Sequence, residues 1–538
     1  MKLQSPFASG APAAARVEAL QNLKNPFYLG DQPALTQTSG WTDAWVSQPS
    51  VYAVAAETSA DVIAAVNFAR EHKLRLAVKG GGHSYQGTSN ASDSLLVWTR
   101  RMNHIELHEA FVPQGCHVAP QPAVSIGAGA MWIDAYDAVT TKGGRYVQGG
   151  GCTTVGVAGL VQSGGFGSFS KNFGTAAAGL LEAEVVTADG QLRIANASCH
   201  PELFWALKGG GGGSLGVVTR LTLRTRELPD SFGVVFGAIK AESDTAFKAL
   251  IAEAMAFYRR DLCNPSWGEQ MVFQSDNTLR ILMVFQGLSQ TQAEQAWASF
   301  LDWVRTRKEY VFASEVNVLT LPARHFWDAD FLREHAARFI VEDQRPGAPR
   351  HHIMWAGDRD QVGWFIHGNG SAWLPVSLLD EHALPRLVDA MFAASRESGF
   401  ALHFNKGLAG AREEELAAAR ATATHPRMVE AFALAICGSD GPPSFLGMPG
   451  AQPDPDKGRR DAASVRRAMT ALREVAPQAG SYVSESDYFQ PDWQASFWGS
   501  NYPRLAAAKR KYDPDGLFFV HHGVGSESWS ADGFSRRA

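Results

Sequence analysis

The sequence predicts an α+β protein of two domains, and three observations carry that prediction. Short strands alternate with helices along the first 226 residues, glycine is concentrated in four dense clusters inside that same stretch, and from Phe232 the clusters stop while a new run of strands and longer helices begins. Length alone would allow about three or four domains, but one change of character marks one boundary. With 45% hydrophobic and 19% charged residues among 538, including 15 Trp and 30 Phe, the composition is that of a packed globular protein.

The elements follow in order. Ser59 can cap a helix over 61–71 whose Val62, Val66 and Ala69 share one face. Leu74, Leu76 and Val78 alternate as a strand that runs straight into Gly80-Gly81-Gly82-His83. Strands at 94–98 and 123–128 and a helix over 131–141, ended by Gly143-Gly144, lead through Arg145 to Gln148 into Gly149-Gly150-Gly151-Cys152. Two strands flank the turn Asp189-Gly190, and a helix over 201–207 and a strand over 217–223 close the first part. The second part reads as strand 233–239, helix 244–260, strand 279–285, helix 291–307, strand 364–368, helix 383–398, strand 400–404 and a helix near 461–475. The Pro/Gly/Asp-rich stretch 438–457 has no periodicity that could bury a face and reads as a surface loop. The tail opens with a helix over 504–512, stopped by Asp513-Pro514-Asp515-Gly516.

Charge and cysteine content exclude several classes. Net charge is −5, from 49 basic and 54 acidic residues, so no broad basic field gathers phosphates and nucleic acid is not an expected partner. The five cysteines (Cys116, Cys152, Cys199, Cys263, Cys437) show no C-x-x-C spacing, which excludes zinc-ribbon and thioredoxin-like readings. The first 23 residues lack the apolar core of a signal peptide, and no apolar run approaches a membrane span. The chain as written reads as soluble and cytoplasmic, or periplasmic or secreted if a leader has been removed; oligomeric state stays open. His351-His352 and His521-His522 are adjacent pairs whose side chains normally diverge, with no acidic third ligand at ligand spacing, so no metal site is expected. There is no G-x-S-x-G elbow or H-E-x-x-H helix. Trp297, Leu301 and Val304, at helical spacing, read as core.

The glycine clusters at 80–82, 149–151, 164–167 and 209–213 carry the strongest functional signal. Glycine lets backbone approach a ligand closely, and turns of successive amides form a concavity for anions such as pyrophosphate. An isolated glycine is better read as a turn residue; four clusters in one domain shift that balance. A nicotinamide-binding fingerprint should open a helix directly after its strand, whereas Gly80 to His83 is followed by Ser84-Tyr85-Gln86-Gly87, a poor helix start.

Val78-Lys79-Gly80-Gly81-Gly82-His83-Ser84-Tyr85-Gln86-Gly87 resembles the flavin-attachment loop of the vanillyl-alcohol-oxidase superfamily, and Gly151-Cys152-Thr153-Thr154-Val155-Gly156 resembles the second attachment loop of its berberine-bridge-enzyme-like branch. Gly159 to Gly167, Leu203 to Thr219, and Asn501-Tyr502-Pro503-Arg504-Leu505 with Lys509, Tyr512, Asp513 and Pro514 match in the same order, densely over 46–226 and 497–522. The resemblance implies a two-domain vanillyl-alcohol-oxidase/p-cresol-methylhydroxylase-type flavoprotein: an FAD-binding domain over 1–226 with its core at 46–226, a substrate domain over 227–496 with a sheet covered by helices, and a segment over 497–538 completing the FAD domain. It implies FAD held by two bonds, His83 to the flavin 8α-methyl and Cys152 to C6. It places Lys79, Gly80, Gly81, Gly82, Ser84, Gly87, Val155, Gly156, Gly159, Gly164, Gly165, Gly167, Gly216, Val217 and Asn501 around the cofactor. Imidazole and thiolate are nucleophiles able to add to an electron-poor ring, and the Cys needs surroundings that favour thiolate, since a free thiol titrates at about 8.5.

Substrate chemistry must then come from the second domain. Ser481 to Tyr488 lies where the family carries a Tyr-rich strand whose Tyr assists substrate deprotonation, but the family's Tyr-x-Asn-Tyr stands here as Tyr482-Val483-Ser484-Glu485. The base stays open among Tyr482, Glu485 and Tyr488; in a strand, Tyr482 and Glu485 cannot share a face without a bulge. His403 and Asn405, on one face of the strand over 400–404 and its continuation, are candidates to line the substrate pocket. The implied reaction is hydride transfer from a small organic substrate (an alcohol, carbohydrate or alkaloid-like amine) to the flavin, with reoxidation by O2 to H2O2. Val155 supports the oxidase, because bulkier residues at its position hinder oxygen in related enzymes. A dehydrogenase using another acceptor and a non-catalytic flavin-binding protein stay open, since fold alone does not select a reaction.

Overall fold

The computed structural model describes residues 1–450 and 452–537, and a small parallel sheet, a six-stranded antiparallel sheet and a nine-stranded sheet give it an α+β architecture. Tyr52–Ala55, Ser94–Trp98 and Arg75–Lys79 pair in that spatial order, all parallel. Parallel pairing needs a crossover, and the helix Ser59–Glu71 supplies it, burying Val62, Val66 and Ala69. The cap is Thr58, not the expected Ser59. The Thr58 side chain accepts from the Asp61 backbone and the Asp61 carboxylate accepts from the Thr58 backbone, a reciprocal pair that Ser59 could not make.

In the six-stranded sheet, Leu192–Asn196, Leu180–Val186, Val217–Glu227, Gln121–Gly127 and Ile105–Phe111 run in spatial order, and Arg145–Val147 pairs with the far end of Val217–Glu227. Ile105–Phe111, absent from the sequence reading, is an edge strand largely open on both faces, so it has no hydrophobic alternation to read. Two expected helices divide. Trp132–Tyr136 widens into a π-type turn over Asp137–Lys142, and Asp244–Phe257 does so over Tyr258–Leu262.

The nine-stranded sheet begins Tyr310–Pro322, Ser231–Ala241, Thr278–Gln286, Trp267–Phe273, Phe400–His403, Ala431–Gly441, Phe365–Pro375, and is closed by Gly40–Trp41 and Trp45–Val46 from the N-terminal part. Helices Asp244–Phe257, Gln290–Arg305, Leu384–Glu397 and Pro455–Val475 share one core with this sheet, Trp297, Leu301 and Val304 among it. Strand alternation does the sorting: Leu279, Met283 and Phe285 enter that core while Leu282 and Val284 face a cavity on the other side. Ala431–Gly441 escaped the sequence reading because its first half is buried on both faces. It also shortens the expected loop over 438–457, whose other end is the start of the helix at Pro455.

Trp493–Trp498 and Tyr502–Tyr512 share a core with Trp132, Ile133 and the helix Pro201–Leu207. The buried Lys509 ammonium donates to the carbonyls of Ser214 and Phe518 and to Asp513, each at 2.6 Å. Among the described residues no helix is long and apolar enough to cross a membrane.

Candidate functional site

A cavity of about 1600 Å³ lies between the glycine loops and the free face of the nine-stranded sheet. Two loops meet on its wall. A Cβ on Gly81 would stand 2.9 Å from the Gly156 nitrogen, and a Cβ on Gly156 would stand 2.9 Å from the Gly81 nitrogen, so the crossing requires glycine on both sides. The consequence is chemical: His83 Nε2 and Cys152 Sγ converge on one hydroxyl, Thr154 Oγ1, at 3.2 Å and 3.4 Å. Further along the wall, Gly159 and Gly212 have no atom within 4 Å of a would-be Cβ, so any side chain there would occupy the cavity itself. Gln86, Ser214, Asp358, Asn405 and His522 line the cavity and each keeps a buried polar atom without a protein partner. Bare backbone, two nucleophiles and unpartnered polar atoms fit a cofactor of FAD type.

The two nucleophiles differ electrostatically. Burial lowers the His83 pKa to about 4, which leaves the imidazole neutral near pH 7. Burial, and then the Asp358 carboxyl, push the Cys152 thiol up to about 12. The expectation of thiolate-favouring surroundings is corrected, because burial and the Asp358 charge both disfavour the thiolate. Asp358 is itself raised to about 7 by burial.

Of the residues named from sequence, Gly80, Gly81, Gly82, His83, Ser84, Cys152, Val155, Gly156, Gly159, Gly216, His403, Asn405, Tyr482 and Glu485 line the cavity. Lys79 does not. Strand alternation turns it away from Val78 and Gly80, and its ammonium donates to the carbonyls of Leu29, Gln32 and Leu35, tying down the N-terminal segment. Gly87 packs on the Trp45 ring, Gly165 on Ala176 and Gly167 on the Gly149 carbonyl, while Gly164 faces Thr424, so these four shape loops behind the wall. Val217 belongs to the core beneath the parallel sheet, and Asn501 donates to the Thr424 carbonyl. Tyr488 stacks on His521 with ring centres 3.7 Å apart, outside the cavity lining.

Ser481 to Tyr488 forms a turn instead of a strand, closed by the Glu485 N–H donating to the Tyr482 carbonyl at 2.9 Å. That turn brings Tyr482 and Glu485 to one cavity, which a strand would have forbidden. Burial and the Glu485 charge push the Tyr482 phenol further from ionisation, and its ring stands edge-on to Phe166. Glu485 accepts from Lys406 Nζ through both oxygens at 2.6 Å. The strand Phe400–His403 ends before Asn405, which sits in a short 3-10 turn; both His403 and Asn405 still reach the cavity.

Sequence reasoning missed Glu269, Asp358 and Lys406, all on the cavity wall. Glu269 holds φ 67° inside the strand Trp267–Phe273, a left-handed conformation costly for a residue with a side chain. Its carboxyl accepts from Ser168 Oγ, and burial raises its pKa. A strained carboxyl in a buried pocket is a base candidate that no motif signals.

Away from the cavity, His351 and His352 meet an acidic partner that stands at no ligand spacing in the sequence. Both Nε2 atoms lie near Asp134 Oδ1, at 3.0 Å and 3.2 Å, although some 217 residues separate them in sequence. Arg100 approaches Asp134 Oδ2 at 3.5 Å and Asp343 approaches His352 Nδ1 at 3.7 Å, so the group is an interlocked ion-pair network joining the two halves of the chain.

Residues 50–196 match the FAD binding domain family and residues 481–525 the berberine and berberine-like family. The chain is 33% identical over 494 residues to the FAD-linked oxidoreductase penH of Penicillium thymicola, covering 90% of this chain and 78% of that one. In fold it is similar to the VAO-type flavoprotein MtVAO615 of Myceliophthora thermophila C1, with TM-score 0.79, 24% identity, and coverage of 98% and 93% of the two chains. It is also similar to a glucooligosaccharide oxidase of Acremonium strictum, described with a 6-S-cysteinyl, 8α-N1-histidyl FAD, with TM-score 0.66, 18% identity, and coverage of 88% and 92%.

Proposed function

This chain belongs to the FAD-linked oxidoreductases of the berberine-bridge-like kind, and from that premise we propose that it is an oxidase of a small organic substrate whose FAD is bound covalently through both His83 and Cys152. The observation that carries this reading is the convergence of the two nucleophiles on Thr154 Oγ1 at the wall of a glycine-lined cavity. The doubly linked flavin named for the glucooligosaccharide oxidase supports it. When bound, FAD would take a hydride from a substrate carbon and pass its electrons to dioxygen, giving hydrogen peroxide.

The chain's own residues supply position and proton transfer. Glu269, ionised, accepts the proton from a substrate hydroxyl or amine: it is half-buried on the cavity wall in a left-handed backbone conformation, its pKa is raised, and among the described residues it forms no ion pair. The Lys406–Glu485 pair fixes a cation and a carboxylate at the cavity edge and orients polar substrate groups, while Tyr482 forms a wall. Val234, Phe236, Leu282 and Phe339 line the opposite side and exclude water from the reacting atoms. Val155, small and on the lining, leaves room for oxygen. Alcohols, carbohydrates and alkaloid-like amines are the substrate classes to screen.

Flavin should stay with acid-precipitated wild type, His83→Ala and Cys152→Ala, and leave only the double variant. Complete release from either single variant refutes two bonds. Substrates found by anaerobic bleaching should yield peroxide when air is admitted; a reduced protein that persists in air but is reoxidised by an artificial acceptor refutes the oxidase.

A further inference from the structure

His351 and His352 aim both rings at one oxygen. Their Nε2 atoms stand 3.0 Å and 3.2 Å from Asp134 Oδ1, the three ligand atoms lie within 4.8 Å of one another, and the ring planes meet at 89°. Adjacent side chains can converge here because Pro349 to His352 is a turn, closed by the His352 N–H donating to the Pro349 carbonyl at 3.0 Å. The other ring nitrogens also face carboxylates. His351 Nδ1 lies 3.6 Å from Asp137 Oδ2 and His352 Nδ1 lies 3.7 Å from Asp343 Oδ2, and the latter nitrogen is buried without a hydrogen-bond partner. A neutral imidazole has a single N–H, so protons alone could serve all four nitrogens only if two neighbouring rings were both charged. A metal ion held by the two Nε2 atoms removes that conflict. Each neutral ring then keeps its one hydrogen on Nδ1, directed at a carboxylate, as zinc-ligating histidines do.

We propose that Asp134 Oδ1, His351 Nε2 and His352 Nε2 form a binding site for a divalent metal ion of zinc type, with water as the fourth ligand. In a tetrahedron with zinc bond lengths the donor atoms stand about 3.3 Å apart, close to the separations between the Asp134 oxygen and each ring nitrogen. The carboxylate is held for the role: Oδ2 accepts from the Met131 N–H at 2.9 Å and faces Arg100 at 3.5 Å, which leaves Oδ1 for the ion. Asp137 and Asp343 are engaged by Lys142 and Arg345 and act from outside the ligand set. The His351 side chain, 27% exposed, gives the ion and its water a way in. Spacing in the sequence could not show the site, because folding delivers Asp134 across some 217 residues. The ion would clamp the helix Trp132–Tyr136 to the segment before Ile353–Trp355. That junction adjoins the Cys152 loop, since the Ile133 N–H donates to the Thr153 carbonyl and Thr153 Oγ1 donates to the Ile353 carbonyl. The ion-pair network belongs to the metal-free protein, which a chelator isolates.

The test uses untagged full-length protein, dialysed against EDTA and then supplied with zinc sulfate, with bound zinc counted by plasma mass spectrometry. Wild type should take up one zinc ion per chain and unfold at a higher temperature than the chelated sample, and cobalt in place of zinc should give the visible absorption of a four-coordinate site. His351→Ala should lose the stoichiometric zinc, and Asp137→Asn, which only positions a ligand, should weaken it by about 10–100-fold. Wild type decides the matter even where a variant fails to fold: zinc should protect His351 from diethyl pyrocarbonate, read by peptide mass. No zinc uptake by wild type, unchanged zinc affinity in His351→Ala, or equal modification of His351 with and without zinc overturns the proposal.

Discussion

Gly81→Ala probes the crossing on which the site depends. The added Cβ would stand 2.9 Å from the Gly156 nitrogen, 3.3 Å from its Cα and 3.5 Å from the Thr154 carbonyl oxygen, all backbone atoms that no side-chain rotation can clear. Gly81 is not among the glycines with positive φ, so alanine adds bulk without backbone strain. Restoring ordinary contact requires one loop to retreat by roughly 0.5 Å. Overpacking of this kind costs about 1–3 kcal/mol, which in a chain this long lowers Tm by no more than about 2–4 °C per kcal/mol. The chemical cost should be larger. The displaced segment carries Thr154, on which His83 and Cys152 converge, and misplacing reacting atoms by about 1 Å can cost about 10²-fold in rate. Thermal unfolding and flavin retained after acid precipitation, measured on the same samples, should show a modest drop in Tm with strongly reduced covalent flavin. An unchanged Tm with complete linkage of both residues would refute the crossing as the device that assembles the site.

The remaining predictions concern the base, the ion-pair network and the tail. Glu269→Gln should slow anaerobic flavin reduction by about 10²–10⁴, and Tyr482→Phe should leave it within about threefold, since a phenol held far from ionisation is a poor base; the reverse result returns the role to Tyr482. The wild-type reduction rate should fall on acidification through the raised pKa of Glu269, because only the carboxylate accepts a proton. Asp134→Asn should destabilise the fold by about 3–5 kcal/mol, as it strips a buried network of its shared acceptor. Asp134 is burdened by burial but held low by hydrogen bonds from His351 and His352, so its stabilisation is present above its unfolded pKa and lost as pH falls through the folded one; His352, raised by Asp134 and Asp343 against burial, contributes below its unfolded value and is lost above its folded one. Chemical denaturation should therefore show the widest gap between variant and wild type from about pH 4 to 6.5, and a gap that grows towards alkaline pH would refute this account. Removing residues 498–538 takes away Trp498 and Lys509, which bond to the Gly209 and Ser214 carbonyls, and should give flavin-free, poorly soluble protein; soluble holoprotein would refute it.

What could be read from the sequence was what is contiguous in it. The loops that hold the two nucleophiles are short runs in which nucleophile and glycines stand side by side, so His83, Cys152, Gly81 and Gly156 are visible as a pattern although their crossing is not. Helices with one apolar face, such as Gln290–Arg305, were equally legible. The substrate side was not, because it is assembled by long-range register: Glu269 comes from a strand with no marked alternation, Lys406 from a 3-10 turn and Asp358 from a segment between two strands. The turn at Ser481 to Tyr488 was read as a strand from family resemblance, and periodicity could not correct it, since Tyr482 and Glu485 stand three apart in either conformation. Asp134 and His352 show the same limit, being partners across some 218 residues with no local signal in either.

The two nucleophiles make different demands on the fold, and the chain meets them with different parts. His83 sits in a loop pinned by the parallel sheet, where burial alone leaves its ring neutral and competent. Cys152 sits where burial and the Asp358 charge both disfavour the thiolate, and Asp358 belongs to the segment after Ile353–Trp355, beyond the change of character at Phe232. On the two-bond reading, the His83 bond would draw on the glycine-loop part of the chain, while the Cys152 bond would form in surroundings that the later part helps to set. The contact between these parts is close: Glu269, on the nine-stranded sheet, stands 3.0 Å from a Cβ built on Gly151, the residue before Cys152, so the sheet face and the loop that holds the thiol close one cavity together.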